Sequence, residues 1–106
     1  MFTVNREISP VPAGDGVLRK VLSYSETLMI CEITLETGSV IAAHAHPHEQ
    51  ITYIISGSCR YTVGEETREV GAGDSVLIPG NVPHSIVVLE QMKVIDAFAP
   101  AREDFL

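Results

Sequence analysis

Residues 44–50 read His-Ala-His-Pro-His-Glu-Gln, so that three of the four histidines of the chain lie within five positions. The fourth, His84, ends the segment Pro-Gly-Asn-Val-Pro-His at residues 79–84, just after a strand-like run. Neutral imidazole binds a divalent cation without first losing a proton, which makes histidine the commonest metal ligand near neutral pH. The grouping of all four histidines in two short segments therefore predicts one divalent metal site.

Around these segments the sequence has the pattern of short β-strands and almost no helical signal. From Thr27 to Glu36 apolar and polar residues alternate, which is the period of a half-buried strand. Turns are predicted between the apolar runs, at Gly38-Ser39, Gly57-Ser58, Gly64-Glu65, Gly71-Ala72-Gly73 and Pro79-Gly80. The strand-like runs are Val17–Ser23, Leu28–Leu35, Ile51–Ile55, Cys59–Val63, Arg68–Val70, Ser75–Ile78, Ser85–Leu89 and Lys93–Ala97. Many short strands with tight turns are typical of an antiparallel sandwich or small barrel.

The composition limits the class of protein. A chain of 106 residues, 45% of them hydrophobic, is expected to form one globular domain over residues 1–106. The net charge of −7 argues against nucleic acid or an anionic membrane as a partner. No apolar run approaches the roughly 20 residues that span a bilayer. The N-terminus lacks a signal-peptide pattern, so a cytoplasmic location is expected. Cys31 and Cys59 have neither metal-ligand nor redox spacing and are expected to be buried free thiols.

Strand alternation indicates where the side chains of the first segment point. If this segment is extended, His44, His46 and Gln50 share a parity and project to the same side. Pro47 makes the register uncertain, so that His48 can point either way. A position in solvent or next to the ligands is expected for it in preference to ligation of the cation. Ligands from two separated strands can converge in the lumen of a barrel, which is where the histidine of the second segment is expected to join them.

The two histidine segments resemble the two motifs of the cupin superfamily. The matching residues are Gly38, His44, His46 and Gly57 in the first motif and Gly73, Pro79 and His84 in the second. The chain departs from the motifs at Gln50, where the superfamily has glutamate, and at Asn81, where it has glycine. The resemblance implies a small antiparallel β-barrel of the jelly-roll type. It also implies one divalent metal ion held by His44, His46, Gln50 and His84.

Two longer stretches are similar to the pectin-degradation cupins that linearise 4,5-unsaturated monouronates. They are His-Pro-His-Glu-Gln-Ile-Thr-Tyr-Ile-Ile-Ser-Gly at residues 46–57 and Asp-Ala-Phe-Ala-Pro-Ala-Arg-Glu-Asp-Phe-Leu at residues 96–106. In that family a glutamine completes the metal site, in agreement with Gln50. The resemblance implies metal-dependent ring opening of unsaturated monouronates from pectin or alginate to linear 5-keto-4-deoxyuronate products. The expected partner is thus a small anionic sugar.

Such a ring opening needs a group that moves protons and a group that binds the substrate carboxylate. Asp96 lies on an otherwise apolar strand face, where desolvation raises the pKa of a carboxyl group toward a useful range. Arg102 carries a two-pronged guanidinium that matches a carboxylate. Both roles are also what the resemblance implies. Asp96 can instead be a partly exposed strand carboxylate, and Arg102 can instead pair with Glu103 or Asp104.

Two other functions remain open from the sequence. A mononuclear iron enzyme that consumes oxygen can use the same scaffold, although oxygen activation typically uses a carboxylate ligand that Gln50 does not supply. The second of these functions is that of a non-catalytic module that binds a small sugar or acid. The ligand types do not choose among zinc, nickel, manganese, iron and cobalt. Exposed apolar strands commonly pair, so a homodimer is expected. Tyr53 and Tyr61 are expected to pack in the barrel wall.

Overall fold

The computed structural model of the protein describes residues 1–106, most of which lie in eight β-strands of one sheet. The strands are β1 (Val11–Gly14), β2 (Val17–Tyr24), β3 (Met29–Leu35), β4 (Val40–His44), β5 (Glu49–Val63), β6 (Glu66–Gly71), β7 (Ser75–Ile78) and β8 (His84–Ala99). Two short 3-10 helices, Asn5–Glu7 and Glu103–Phe105, lie near the chain ends. All strand pairs are antiparallel. The predicted all-β antiparallel fold is therefore confirmed. No helix is both long and apolar enough to cross a membrane.

The two longest strands, β5 and β8, pair with each other along nearly their whole lengths. One end of β8 pairs with β4 and the other with β3. Likewise, β5 pairs with β7 near its start and with β6 near its end. Residues from both halves of these strands contribute to one apolar core. The sheet therefore encloses a common interior, and the two histidine segments lie where β4 and β8 meet.

The predicted division of each of these long strands into two is wrong. Gly57 is predicted to be a turn residue, but it lies inside β5, where the register with β8 is irregular. Its φ of 82° lies in the left-handed region, and a Cβ atom at this position would lie 2.0 Å from the carbonyl oxygen of Gln91. Glycine is needed here because the two backbones approach so closely. It permits a bend within one strand instead of a turn between two.

The strands β1 and β4 are not predicted from the sequence. Every residue of β1 is exposed, and β4 has one partly buried residue among five. Without an inward-facing apolar set, neither segment shows the alternation that identifies a strand from sequence. The long alternating strand β3 shows the opposite case, with every second residue buried from Met29 to Leu35.

The core holds both cysteines, as predicted. Cys31 and Cys59 are free thiols with no exposed surface. Burial raises the pKa of each thiol to about 11, so both stay protonated and unreactive near neutral pH. The two cysteines therefore act as small apolar side chains that help to fill the interior.

The outer face of the sheet is apolar around Ile51, Tyr53 and Leu77, each about half exposed. Tyr53 therefore lies on the outside of the wall, whereas Tyr61 is packed inside it with 4% of its surface exposed. Ile51 and Leu77 are direct cross-strand neighbours, so these side chains form a continuous surface on β5 and β7. Such a surface is suited to the homodimer expected from the sequence, which stays a prediction.

Candidate metal centre and its cavity

Three histidines from the two sequence segments converge at one point of the fold. His44 ends β4 and His84 begins β8, and the two residues are paired across the strands. His46 comes from the loop that connects β4 to β5. One nitrogen from each ring can be chosen so that the three atoms lie within 4.8 Å of one another. That spacing is compatible with three ligands of one cation, as the sequence predicts.

The backbone orients the three imidazole rings through one ring nitrogen each, so that the other nitrogen can face a ligand. In each ring Nδ1 lies within hydrogen-bond distance of a carbonyl oxygen two residues away. For His44, His46 and His84 the acceptors are Ala42, His48 and Val82, at 2.9, 3.0 and 2.9 Å. A neutral imidazole that donates from Nδ1 has its lone pair on Nε2, the arrangement found in many histidine-ligated metal sites.

His84 carries the clearest indication that a cation belongs here. Its Nε2 atom is buried and has no hydrogen-bond partner in the chain. Burial lowers the pKa of both His84 and His46, so both rings are neutral and present lone pairs. An unpartnered buried acceptor costs about 1–3 kcal/mol, which a bound cation would offset. His44 is exposed, whereas His46 and His84 are buried, so the group is reached from the His44 side.

Gln50 adds a fourth candidate ligand from the start of β5. It is 6% exposed, and its Oε1 lies 3.0 Å from Nε2 of His46. Because Nδ1 of His46 faces the carbonyl oxygen of His48, a neutral ring has one N–H for two oxygen acceptors. A cation shared by Nε2 of His46 and Oε1 of Gln50 satisfies both atoms. The residues therefore fit the divalent metal that the sequence predicts.

The direction of the Gln50 amide is set by Thr52, a buried residue to which the sequence analysis gave no role. The Thr52 hydroxyl donates to Oδ1 of Asp96 at 2.7 Å, directly across the paired strands. It then accepts from Nε2 of Gln50 at 3.2 Å and from the hydroxyl of Tyr61 at 3.1 Å. The one proton and both lone pairs of the Thr52 hydroxyl are therefore all engaged in hydrogen bonds. Since the amide nitrogen faces Thr52, the amide oxygen faces the histidines.

Asp96 has the raised pKa that the sequence predicts. Met92, Val94 and Phe98 on the same face of β8 are at most 3% exposed. Desolvation by this apolar surround raises the pKa of Asp96 to about 6, against the opposing effects of its hydrogen bonds and of Arg102. The carboxyl group thus sits near the metal ligands with a pKa close to neutral. Its catalytic role stays a prediction.

Three of the four candidate metal ligands line one cavity of about 220 Å³ together with Asp96 and Arg102; they are His44, Gln50 and His84. Arg102 is paired with Asp104, as the alternative interpretation of the sequence allowed. Its Nε and Nη2 donate to the two carboxylate oxygens at 3.0 and 2.8 Å. This contact lowers the pKa of the Asp104 carboxyl group. Arg102 therefore lines the cavity with its charge already compensated, and its substrate-binding role stays a prediction.

His48 lies beside the three-histidine group without belonging to it. Its ring centroid is 5.5 Å from that of His46, and the side chain is half-buried. Its backbone carbonyl, rather than its ring, orients His46. A position next to the ligands is among those that the sequence allows for His48.

The loops that carry the histidines are joined by Asn81. Its backbone N–H donates to the carbonyl of His46 at 2.7 Å, and its φ is 65°. Among residues other than glycine, asparagine adopts this left-handed conformation most readily. The replacement of the motif glycine by Asn81 is therefore compatible with the same loop shape. A Cβ atom at Gly80 would lie 2.6 Å from the carbonyl oxygen of Pro47, so the loops touch there as well.

Arg19 is a cavity residue that sequence reasoning missed, in addition to Thr52. It lines the same cavity from β2. The sequence contains a signal for this position. Arg19 lies two positions from both Val17 and Val21 and so shares their strand face, and both valines contact the core. A charged residue on the inward face of an otherwise apolar strand is a candidate functional residue.

Replacement of Thr52 by valine is expected to weaken metal binding by about 10- to 100-fold, the usual effect of removing a group that orients a ligand. Valine keeps the shape but releases the amide of Gln50. Competition with a chromophoric chelator measures the affinity. Thr62→Val is the matched control, because Thr62 lies on the same strand and contacts only Thr67 through its hydroxyl. Equal affinities for both variants would contradict the role given to Thr52.

Comparison with known proteins identifies the family to which this fold belongs. The model of the cupin domain family matches residues 31–98, which contain all the candidate metal ligands. The pectin degradation protein KdgF of Dickeya dadantii is 37% identical over 95 residues, covering 88% of this chain and 86% of that protein.

Two solved structures superpose over nearly the whole chain. KdgF from Halomonas sp. has a TM-score of 0.95 at 31% identity, covering 100% of this chain and 98% of its own. A RmlC-like cupin from Shewanella frigidimarina has a TM-score of 0.95 at 32% identity, covering 99% and 95%. The chain therefore belongs to the cupin family, and it is similar along nearly its whole length to the KdgF pectin-degradation proteins.

Proposed function

We propose that the protein is a metal-dependent enzyme that opens the ring of 4,5-unsaturated monouronates and releases the linear keto form. The observation that carries the proposal is the cavity of about 220 Å³ in which candidate metal ligands, Asp96 and two guanidinium groups occur together. The similarity to proteins named for pectin degradation supports the choice of sugar. Pectin or alginate breakdown is the corresponding source of substrate.

The cation would be held by His44, His46, Gln50 and His84. Neutral imidazoles and an amide carry no charge, so none of these ligands would reduce the charge of the cation. When bound, a divalent cation supplies Lewis-acid stabilisation of the negative charge that develops on the C5 oxygen as the C1–O5 bond breaks. The neutral amide of Gln50 leaves that positive charge undiminished, whereas the glutamate usual in this position would reduce it.

Asp96 is the group in the cavity suited to move the proton. Opening the hemiacetal removes a proton from the C1 hydroxyl and leaves an enolate at C5, and conversion of this enolate to the ketone adds a proton at C4. A single carboxyl group can accept the first proton and deliver the second, so that no proton is gained or lost overall. Thr52 holds Oδ1 of Asp96 at 2.7 Å and thus fixes the direction of the carboxyl group.

The charges of the cavity suit a small acidic sugar. Arg102 was predicted to bind the substrate carboxylate, and it lines the cavity together with Asp96. Its ion pair with Asp104 is short, so a substrate carboxylate would have to share this guanidinium or displace Asp104. Phe98 and Phe105 provide an aromatic part of the lining against which a sugar ring can pack.

The proposal is tested with purified protein, stripped of metal and then reloaded with single divalent metals. We expect 4,5-unsaturated galacturonate to lose its double-bond absorbance faster with the loaded protein than without protein. Nuclear magnetic resonance should identify the linear keto product. A rate equal to the spontaneous rate at every metal loading would overturn the assignment. Oxygen uptake that accompanies turnover only with iron would point to an oxygen-dependent enzyme instead.

A further inference from the structure

Arg19 occupies an unusual position for a charged residue. It lies on β2, two residues from the buried Val17, and is paired across the strands with Ile33. All three residues line the same cavity as His44, Gln50 and His84. The Nε atom of Arg19 is shielded from solvent, and no group of the chain accepts a hydrogen bond from it. A guanidinium nitrogen in this state lacks the acceptor that buried donors normally have.

Phe105 holds Arg19 in place without using its hydrogen-bond donors. The guanidinium carbon of Arg19 lies 3.7 Å from the centre of the Phe105 ring. The guanidinium of Arg102 contacts the same ring at 4.2 Å. Stacking engages the faces of a guanidinium, whereas its N–H groups lie in the plane and stay available. One aromatic side chain thus positions two cations at the cavity.

The two cations differ in how their charge is compensated. Arg102 forms an ion pair with Asp104. The other salt bridge of the chain joins Lys93 to Glu32, so that neither includes Arg19. The cavity therefore contains one arginine with a carboxylate partner and one without. In a protein of net charge −7, an uncompensated guanidinium facing a cavity is the natural place for an anionic group.

We propose that Arg19 binds the carboxylate of the substrate and makes the cavity selective for acidic over neutral sugars. The identity of the sugar rests on the proposed function, whereas the selectivity for a carboxylate rests on the contacts of Arg19 itself. A carboxylate in the plane of the guanidinium would supply the missing acceptor. Because Phe105 already orders the side chain, little conformational freedom is lost on binding.

The test compares Arg19→Gln and Arg19→Lys with Arg60→Gln, a matched control because Arg60 is exposed on β5. For Arg19→Gln we expect KM for unsaturated galacturonate to rise about 10- to 100-fold, the usual effect of losing a charge-assisted contact. We expect kcat to change by less than about 3-fold, as for a contact made equally in ground and transition states. Arg19→Lys keeps the charge and should lie between wild type and Arg19→Gln, and Arg60→Gln should match wild type.

Binding without turnover gives a second readout. Saturated galacturonate should bind the wild-type protein more tightly than galactose, and Arg19→Gln should lose most of this preference while retaining its bound metal and melting temperature. A structural role alone would lower the melting temperature and leave the preference intact. An unchanged KM and preference in Arg19→Gln would overturn the proposal, as would a wild-type protein that binds both sugars equally. If the wild type shows the galacturonate preference without turnover, the proposed function fails and the proposal for Arg19 stands.

Discussion

Replacement of His84 by alanine is expected to abolish stoichiometric metal binding and all turnover above the spontaneous rate. His84 supplies the buried Nε2 atom that has no partner in the chain, and its removal leaves two histidines and an amide. Removal of a group that merely orients a ligand costs about 10- to 100-fold in affinity, and loss of a ligand should cost more. Metal analysis of dialysed protein and chelator competition measure the change.

His48→Ala is the matched control for this prediction. His48 is the one histidine outside the three-histidine group, and it orients His46 through its backbone carbonyl, which alanine retains. We expect this variant to bind metal with an affinity within a few-fold of wild type. If His48→Ala lost its metal as His84→Ala does, the set of ligands assigned from the geometry would be wrong.

Replacement of Asp96 by asparagine is expected to lower kcat by about 10²- to 10⁴-fold, the usual contribution of general acid–base catalysis. Asparagine has nearly the same shape, and its carbonyl oxygen can still accept from the Thr52 hydroxyl, so that the Gln50 amide keeps its direction. Metal content should therefore match wild type. Steady-state kinetics and metal analysis of the same preparation separate the two effects.

Asp15→Asn is the control for this second prediction, since Asp15 is exposed in the turn between β1 and β2 and is expected to tolerate the change. Full activity in Asp96→Asn would remove the proton-transfer role and leave the metal site untouched. Loss of metal together with activity would instead mean that Asp96 acts by holding Gln50 in place.

The sequence predicted the elements of this site whose information is local. The spacing of His44 and His46 and the position of His84 after a strand depend on short stretches of chain, and the structure brings the three residues together. The alternation that places Gln50 inward is likewise local, and Gln50 is buried. The raised pKa of Asp96 followed from the apolar residues on its own strand face.

The features that sequence reasoning missed depend on contacts between distant residues. Gly57 resembles a turn residue until the carbonyl of Gln91 is seen beside it. Thr52 gains its role only because Asp96 lies opposite on β8, 44 positions away in the chain. Arg19 and Phe105 come from the two ends of the sequence, and no local pattern links them. Strand pairing creates the first two contacts. The third joins a strand residue to the 3-10 helix at Glu103–Phe105.

A single hydroxyl, that of Thr52, connects a candidate metal ligand to the candidate acid–base group. The hydroxyl donates its one proton to Asp96 and therefore can only accept from the amide of Gln50. If the hydrogen bond to one of these neighbours changed direction, the hydrogen bond to the other would have to change as well. The free-energy effects of altering these three side chains are therefore not independent and will not add. The candidate cation ligand and the candidate acid–base group are therefore expected to behave as one thermodynamically coupled unit.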